Sequence, residues 1–345
     1  KNIGKIKSLD DKLIILHKKL KNQLLEIPNV FSDSTPIGQD EKHNKIVKEW
    51  GEKPSFSFEV KGHIELSQIH KLVDFNRGSK ISGSGFPVYL GLGAKLERSL
   101  INFMIDYHIL NSNYNEVLPP YLVNKESVIS TGQLPKLKDD MYYVKKDDLY
   151  NIPTAEVPIT NLYRDEVIDE TILPIKHVGY SACFRREAGS YGKDTRGLLR
   201  LHQFNKVELV KFCKPEHSNS EHELLLKDAE KILQELNLHY RIIELCSGDL
   251  SFAAAKCYDI EVWSPYEKKY LEVSSCSNFL SFQAMRGNIK YRENNKNQFV
   301  HTLNSSGLAT PRLLVALIET YQRDNGNIVI PNVLNNYMQL KEIVL

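Results

Sequence analysis

Two alternating segments separated by a glycine-rich loop make up residues 178–211, VGYSACFRREAGSYGKDTRGLLRLHQFNKVELVK. Small or apolar residues alternate with polar ones in 178–187 and in 199–211, and successive side chains of a strand point to opposite faces. We therefore predict a hairpin whose loop, 188–197, holds Gly189, Gly192, Lys193, Arg196 and Gly197. Its polar face is predicted to carry Arg185, Glu187, Arg200, His202, Phe204 and Glu208.

This polar face suggests a nucleotide site. Two arginines match phosphate oxygens with their planar guanidinium forks, and an aromatic ring on the same face can stack on a purine. The alternative is a charged face that only keeps the sheet soluble, and the spacing alone leaves both interpretations open.

The rest of the chain predicts an α+β protein. Further strands are predicted at 240–246, 257–263 and 270–276, and an amphipathic helix at 220–238. Strands and helices do not alternate regularly, which favours an antiparallel sheet with flanking helices. A helix predicted at 93–111 is apolar on two faces, as expected where a core also faces another subunit. One face has Leu96, Leu100, Phe103, Tyr107 and Leu110, and the other has Ile101, Ile105 and Ile109.

The N-terminal region differs from the rest. Leucines and isoleucines recur at helical spacing between residues 9 and 27 among many lysines, which predicts a helix with one apolar stripe. Pro28 ends it, and residues 28–53 are interpreted as a polar linker to a catalytic domain at 54–345.

Two short segments could bind polar groups of a small ligand. Thr154-Ala155-Glu156 lies between prolines, which stiffen a loop, so that its threonine and glutamate could hold an ammonium group. Glu272-Val273-Ser274-Ser275 ends a predicted strand, and a carboxylate beside a hydroxyl suits magnesium next to phosphate oxygens. An ordinary turn and an exposed strand edge are the respective alternatives.

A third segment, Asn304-Ser305-Ser306-Gly307, precedes Thr310-Pro311-Arg312 and an apolar helix. Thr310 is predicted to cap this helix and Pro311 to take its first position. Arg312 then lies in the first turn, where a cation opposes the helix dipole, and a bound polyphosphate would relieve that conflict. A solvated arginine is the alternative.

Composition excludes several classes. The 45 Lys and Arg against 43 Asp and Glu give a formal charge of +2, unlike a polycationic nucleic-acid packaging protein. No apolar run reaches the about 18 to 20 residues of a membrane span. The five cysteines form no C-x-x-C pair, which argues for a reducing compartment and against structural zinc. The P-loop and dinucleotide-binding patterns are also missing from the sequence.

Taken in order, these segments resemble the bacterial-type seryl-tRNA synthetases, a family of class II aminoacyl-tRNA synthetases. The general class II motifs correspond to Pro120, to Phe184-Arg185-Arg186-Glu187 through Arg200–Phe204, and to Gly307–Arg312. The serine-specific segments correspond to Thr154–Glu156, His202–Glu208 and Glu272–Ser275.

This resemblance implies a fold and a reaction. The fold would be a six-stranded antiparallel sheet in a homodimer, with the two-faced helix at the interface. The reaction would be activation of L-serine by ATP and Mg²⁺, followed by transfer of serine to tRNA(Ser) and, where present, tRNA(Sec). No zinc is expected, and the location would be cytoplasmic, with an organelle left open.

The resemblance also implies roles for particular residues. Catalysis would depend on Arg185, Glu187 and Arg312. Serine would be bound by Thr154, Ala155, Glu156, Arg185, Glu208 and Ser306. ATP would be bound by Arg185, Arg186, Glu187, Arg200, Phe204, Glu272, Val273, Ser274, Ser275 and Arg312. Magnesium would be held by Glu272 and Ser275, which share a face only if the strand is bulged there.

The family's N-terminal coiled-coil arm, which grips tRNA, would be represented by residues 1–27 as a remnant. The chain begins at Lys1 without a methionine, and with so short an arm we expect serine activation but weak tRNA charging. Two other functions stay open at this point. One is a paralogue that loads an amino acid on a carrier protein, and the other is a non-catalytic RNA-binding module with the same fold.

Overall fold

The computed structural model describes residues 2–188 and 196–345. Gly189, Gly192 and Lys193 of the predicted hairpin loop therefore lie outside the described residues.

The longest strands of this part of the chain lie between residues 175 and 309. In chain order they are β1 (Lys45–Trp50), β2 (Val73–Asp74), β3 (Val88–Tyr89), β4 (Asn115–Glu116), β5 (Leu122–Val123), β6 (Tyr143–Val144), β7 (Leu149–Asn151), β8 (Val167–Asp169), β9 (Ile175–Phe184), β10 (Gln203–Cys213), β11 (Tyr240–Glu244), β12 (Lys256–Ser264), β13 (Lys269–Asn278), β14 (Lys290–Glu293), β15 (Lys296–Phe299), β16 (His301–Ala309), β17 (Ile328–Val329) and β18 (Glu342–Ile343).

The helices flank these strands. They are α1 (Asn2–Leu24), α2 (His63–Ile69), α3 (Phe75–Ser82), α4 (Gly91–Ser112), α5 (Lys125–Ser130), α6 (Glu156–Thr160), α7 (Ser218–Glu235), α8 (Phe282–Gly287), α9 (Thr310–Thr320) and α10 (Asn335–Met338). Among residues 2–188 and 196–345, no helix has both the length and the apolar composition that a membrane span requires.

Within the described residues, the main sheet has eight strands in the order β1-β11-β12-β13-β16-β10-β9-β4. The six central strands pair antiparallel with their neighbours, as the resemblance implies. The two outer strands are additions: β1 is antiparallel to β11, and β4 is parallel to β9. The prediction of a mainly antiparallel α+β fold is confirmed, and the expected strand number is corrected from six to eight.

Residues 28–53 are predicted to be a linker, but Lys45–Trp50 within this range form strand β1. Its residues, three of them apolar, are largely exposed, so it has no buried face that alternation could reveal. It pairs with the free edge of β11, and Trp50 stacks on Tyr240 with ring centroids 5.6 Å apart. Lys45–Trp50 therefore belongs to the main sheet.

The predicted hairpin is also shorter than expected. Strand β9 ends at Phe184 and β10 begins at Gln203, so Arg185, Glu187, Arg200 and His202 lie beyond the strand ends. The alternation fails there because Leu198, Leu199 and Leu201 are all buried, in the same core cluster as residues of α9.

The main core lies on one face of the sheet. There α4, α7 and α9 contribute Leu100, Ile232 and Leu314, which pack in the same cluster as Val207 and Leu209 of β10. The side chains of Phe204, Lys206 and Glu208 have the opposite parity in β10 and line a cavity on the other face. One strand thus supplies both the core and the cavity.

Helix α9 begins one residue earlier than a Thr310 cap would require. Ala309 is at the N-cap position, and Thr310 is the first helical residue. The Thr310 hydroxyl contacts Glu97 of α4 and donates to the Asn205 carbonyl at 3.0 Å. The predicted capping role of Thr310 is therefore wrong, while Arg312 does lie in the first turn.

Candidate active site

The cavity on the open face of the sheet has a volume of about 590 Å³. This lies within the usual range for pockets that enclose a small ligand or cofactor. Most of the predicted site residues line it: Thr154, Glu156, Arg185, Glu187, Arg200, Phe204, Glu208, Glu272, Val273, Ser275, Ser306 and Arg312. Three do not line it: Ala155 is fully buried, Arg186 is exposed beside it, and Ser274 is buried behind it.

Glu208 is the most enclosed acidic group of the cavity, with no solvent exposure. Its carboxylate accepts a hydrogen bond from the Thr154 hydroxyl at 2.9 Å and one from the Asn304 amide at 3.2 Å. It also forms a close ion pair with Lys206, two residues earlier on the same face of β10. Such partners hold a buried carboxylate in one orientation and offset the cost of burying its charge.

Glu156 is the second buried carboxylate, at the first position of α6. Gln283 of α8 donates its amide to Glu156 at 2.6 Å, and the Thr302 hydroxyl fixes Gln283 through a bond of 2.7 Å. Burial, together with the nearby negative charge of Glu208, raises the pKa of Glu156 to about 7. A ligand with a positive charge at this end of the cavity would favour the ionised form.

Arg185 and Phe204 form a second part of the cavity. The guanidinium carbon of Arg185 lies 5.2 Å from the centre of the Phe204 ring, and the Arg185 Nε donates to the Pro153 carbonyl at 3.3 Å. A cation held over an aromatic face is a favourable arrangement. It leaves a flat apolar surface next to a positive charge, which suits a purine nucleotide.

Arg200 and Glu187 form an ion pair at the rim of the cavity. Glu187 has a φ of 53°, a left-handed backbone conformation that is unfavourable for residues other than glycine. Such backbone strain persists only where surrounding contacts hold it, and it is concentrated at functional sites. Here the ion pair is one of those contacts.

Strand β13 has the bulge that the resemblance required. Ile260 pairs with Ser274, but the next residue of β12, Glu261, pairs with Glu272, so Val273 is the extra residue. The bulge brings Glu272 and Ser275 to the cavity. Ser274 points away and donates its hydroxyl to the Ser306 carbonyl at 2.6 Å.

Arg312 connects these elements at the start of α9. Its Nε donates to the Leu199 carbonyl at 3.0 Å, and its terminal nitrogen donates to the Glu272 carbonyl at 2.9 Å. The Glu272 carboxylate lies 3.6 Å from the same nitrogen. The arginine therefore faces the cavity with its position fixed by two backbone carbonyls.

Sequence reasoning gave no role to three residues of this site. Lys206 shares its strand parity with Phe204 and Glu208, so its place could have been derived from the alternation. Asn304 lies two residues before Ser306 on β16, in the same predicted segment, where only Ser306 was given a role. Gln283 belongs to a six-residue helix far along the chain and follows no pattern that could have revealed it.

Metal binding is limited by the kinds of ligand present. Among residues 2–188 and 196–345, no three His, Cys, Asp or Glu side chains are grouped closely enough to hold a metal ion. Glu272 and Ser275 offer one carboxylate and one hydroxyl at the cavity wall. Magnesium fits such a pair, because it usually keeps several waters and binds one or two protein oxygens together with substrate phosphates.

Comparison with known proteins identifies relatives of the whole chain. Residues 141–321 match the family model of the tRNA synthetase class II core domain (G, H, P, S and T). A serine–tRNA ligase of Chlorobium chlorochromatii is 54% identical over 344 residues, which cover 98% of this chain and 80% of the relative.

Two solved structures are similar as well. Seryl-tRNA synthetase of Pyrococcus horikoshii, complexed with ATP, superposes with a TM-score of 0.94 at 38% identity. The cytoplasmic serine–tRNA ligase of Naegleria fowleri, in complex with AMP, gives 0.91 at 31% identity. Each match covers 99% of this chain, and 81% and 82% of the respective structures.

Proposed function

Because this chain belongs to the serine–tRNA ligase family of class II aminoacyl-tRNA synthetases, we propose that its cavity joins L-serine to ATP and then serves the transfer of serine to tRNA(Ser). The observation that carries this proposal is the division of one cavity into two parts. Two buried carboxylates, Glu156 and Glu208, lie in the first, and Arg185 over Phe204 lies in the second. The first part suits a small polar ammonium compound, and the second suits a purine nucleotide.

Serine would occupy the part with the buried carboxylates. Glu156 and Thr154 would face its ammonium group, while Glu208 and Ser306 would reach its hydroxyl. Glu208 is already fixed by Lys206, Thr154 and Asn304, so it would accept a hydrogen bond from the serine hydroxyl without rearranging. Ala155 would act only by holding Thr154 and Glu156 in place, since its side chain is buried outside the cavity.

ATP would occupy the other part. Phe204 would stack on the adenine, and Arg185 would contact both the α-phosphate and the serine carboxylate. Arg200 and Arg312 would bind the outer phosphates, with Arg186 beside them, and Glu187 would accept from the adenine amino group. Arg200 and Glu187 are paired with each other, so ATP binding would exchange that ion pair for contacts with phosphate and adenine.

Magnesium would be held by Glu272 and Ser275, which the bulge at Val273 brings to the same wall of the cavity. When bound, the ion neutralises phosphate charge. Val273 contributes the bulge, and Ser274 supports Ser306 from behind.

The chemistry is an in-line displacement. A serine carboxylate oxygen attacks the α-phosphorus, and the bond to the β-phosphate oxygen breaks, so that seryl-adenylate and pyrophosphate form. Attack by a carboxylate needs no general base, and the protein therefore contributes positioning and positive charge. In the second step a hydroxyl of the terminal tRNA ribose attacks the serine carbonyl, and AMP leaves.

Serine-dependent exchange of labelled pyrophosphate into ATP, compared with the other amino acids, tests the first step. We expect exchange with serine alone at physiological concentrations, and Arg185→Ala should lower kcat for exchange by orders of magnitude, because charge develops at the α-phosphate during attack. Absence of serine-dependent exchange in the wild-type chain would contradict the proposal. An Arg185→Ala effect confined to the KM for ATP would limit that arginine to ground-state binding.

The two other functions considered from the sequence are not favoured, since relatives with 54% identity are serine–tRNA ligases. Arg185, Glu187 and Arg312, which a non-catalytic module could lose, all line the cavity. A homodimer is part of the proposal, and the proposed compartment is the cytoplasm, because tRNA is charged where proteins are synthesised.

A further inference from the structure

A buried pair of His63 and Glu319 lies behind the ATP part of the cavity. His63 is the first residue of α2 and Glu319 lies in the last turn of α9, and both side chains are almost completely buried. Glu319 Oε1 accepts from the backbone N–H of His63 at 3.0 Å and lies 3.2 Å from its Nδ1. The Ser264 hydroxyl donates to the other oxygen of Glu319 at 2.5 Å, so both carboxylate oxygens accept hydrogen bonds.

The other ring nitrogen of His63 faces the polypeptide that leads into the site. The backbone N–H of Leu198 donates to Nε2 of His63 at 3.2 Å. Since a backbone N–H can only donate, Nε2 must carry a lone pair, and the ring proton must then be on Nδ1, where Glu319 accepts it. The imidazole is therefore a neutral bridge from α9 to the backbone of Leu198.

Helix α9 holds the next residue as well. Arg312 Nε donates to the Leu199 carbonyl at 3.0 Å. Arg312 and Glu319 are seven residues apart, which places them on the same side of α9 about two turns from each other. Leu198 and Leu199 are thus fixed by the same helix, one through His63 and the other directly. The following residue, Arg200, extends its side chain into the cavity.

Gly197 is adapted to the presence of this histidine. Its φ is +62°, and a Cβ atom built there would lie 2.1 Å from Nε2 of His63. A side chain would therefore be excluded by backbone conformation and by contact with the ring. The backbone at residue 197 lies so close to the imidazole ring of His63 that only glycine fits there.

We propose that His63, oriented by Glu319, is a positioning residue for ATP: it fixes the backbone of Leu198 to Arg200 so that Arg200 and Arg312 face the outer phosphates together. This inference rests on the proposed function, because it assigns a task to residues of the proposed ATP site. The alternative is that the buried pair only joins α2 to α9 and contributes to stability alone.

Three variants of the full chain distinguish these two roles. His63→Phe keeps a ring of similar size but removes the acceptor for Leu198, and His63→Gln restores an acceptor oxygen at about the reach of Nε2. His70→Phe is the matched control, because His70 is at the other end of α2 and bonds to the Gly326 carbonyl, outside the cavity. For each, the KM for ATP, the KM for serine and kcat are measured by pyrophosphate exchange, together with Tm.

We expect His63→Phe to raise the KM for ATP about tenfold, as for loss of a buried hydrogen bond, with the KM for serine changed less than about twofold. His63→Gln should recover most of the affinity for ATP, and His70→Phe should match the wild type in every kinetic constant. If His63→Phe lowers Tm but leaves the ratio of the two KM values unchanged, the positioning role is wrong. If the wild type itself shows no serine-dependent exchange, the proposed function fails instead.

Loss of folding in His63→Phe would not leave the question open. Glu319→Asp withdraws the carboxylate by one methylene and weakens the support of His63 while the ring and its contact with Leu198 stay in the chain. The same selective rise in the KM for ATP is expected in that variant. An equal change in both KM values there would overturn the inference.

Discussion

At the residue scale, the two carboxylates of the proposed serine pocket differ in what neutralises them. Glu208 has an ion pair with Lys206 and hydrogen bonds from Thr154 and Asn304. Glu156 has the neutral amide of Gln283 as its hydrogen-bond donor. A buried carboxylate without its own cation favours the protonated form, which accounts for the raised pKa of about 7. The ammonium group of the substrate would supply the missing cation.

A pH dependence of serine binding follows. Below pH 7 Glu156 becomes neutral and loses the charge that would attract the ammonium group, so serine binding must be accompanied by release of a proton. We expect kcat/KM for serine to fall as pH decreases from 8 to 6, approaching about tenfold per pH unit at the acidic end, as for one proton. The measurement is pyrophosphate exchange at limiting serine and saturating ATP.

The control for this prediction is Glu156→Gln, which keeps the shape of the side chain and removes the titrating group. Its activity should be low and nearly independent of pH over this range. A wild-type profile that is flat between pH 6 and 8 would contradict the prediction, and a slope that persists in Glu156→Gln would assign the titration to another group.

Glu208 should determine specificity for serine over alanine. The two amino acids differ by one hydroxyl, and a site built to bind a hydroxyl can reject the analogue without it by roughly 10⁴ to 10⁵. Glu208→Ala should therefore lose serine activation far more than ATP binding, and the ratio of kcat/KM for serine to that for alanine should fall by orders of magnitude. An unchanged ratio in this variant would remove Glu208 from the serine pocket.

At the element scale, the bulge in β13 determines which side chains face the cavity. Under strict alternation the side chains of Glu272 and Ser274 would share one face of the strand. The extra residue at Val273 instead puts Glu272 and Ser275 on the same face. Ser275 also lies 3.1 Å from the buried Cys257 thiol, which limits its movement on the cavity wall. The neighbouring serines thus have separate tasks, one toward the proposed magnesium site and the other toward Ser306.

These tasks can be separated by a matched pair of substitutions. Ser275→Ala should raise the Mg²⁺ concentration needed for half-maximal exchange by about tenfold, because it removes one of two protein oxygens, whereas the KM for serine should change little. Ser274→Ala should leave the Mg²⁺ requirement unchanged and raise the KM for serine, since Ser274 supports the Ser306 carbonyl. Titration of exchange activity with Mg²⁺ and with serine measures both, and equal Mg²⁺ curves for the two variants would contradict the assignment.

The same elements indicate what a sequence can predict about this fold. Alternation predicts β9 and β10, and strand-like runs predict β11, β12 and β13. Alternation could not locate β1, whose two faces are mostly exposed, or the ends of the hairpin, where Leu198, Leu199 and Leu201 are all buried. The bulge was required by the resemblance and not by the residues themselves. Gln283 and His63 act through contacts between distant segments, which no local pattern encodes.

At the scale of the whole molecule, α4 joins the pocket elements to the protein surface at Leu110. On one side Glu97 accepts from the Asn205 amide of β10 at 2.8 Å and contacts the Thr310 hydroxyl of α9. Of the predicted second face, Ile101 is buried and Ile105 and Ile109 are half-buried against the main core, whereas Leu110, at the end of the first face, is 81% exposed. Most of both predicted faces is therefore covered by the same chain. The exposed end of α4 around Leu110 is the surface we propose for the partner subunit, and Glu97 would connect that interface to the site.

A single charge on this surface should separate the subunits. Leu110→Arg places a cation in an apolar contact, and we expect the dissociation constant of the dimer to rise by at least about tenfold, as for loss of a well-packed interface side chain. Sedimentation equilibrium of the wild type should give twice 39.6 kDa, with the variant shifted toward 39.6 kDa. Val30→Arg is the control, since Val30 is 76% exposed and lies away from α4, beside the 252–255 segment.

Because Glu97 joins α4 to β10 and α9, pyrophosphate exchange should fall as the variant is diluted and dissociates, while the control keeps constant specific activity. A wild type that sediments as a monomer with full exchange activity would exclude both the interface and its connection to the site.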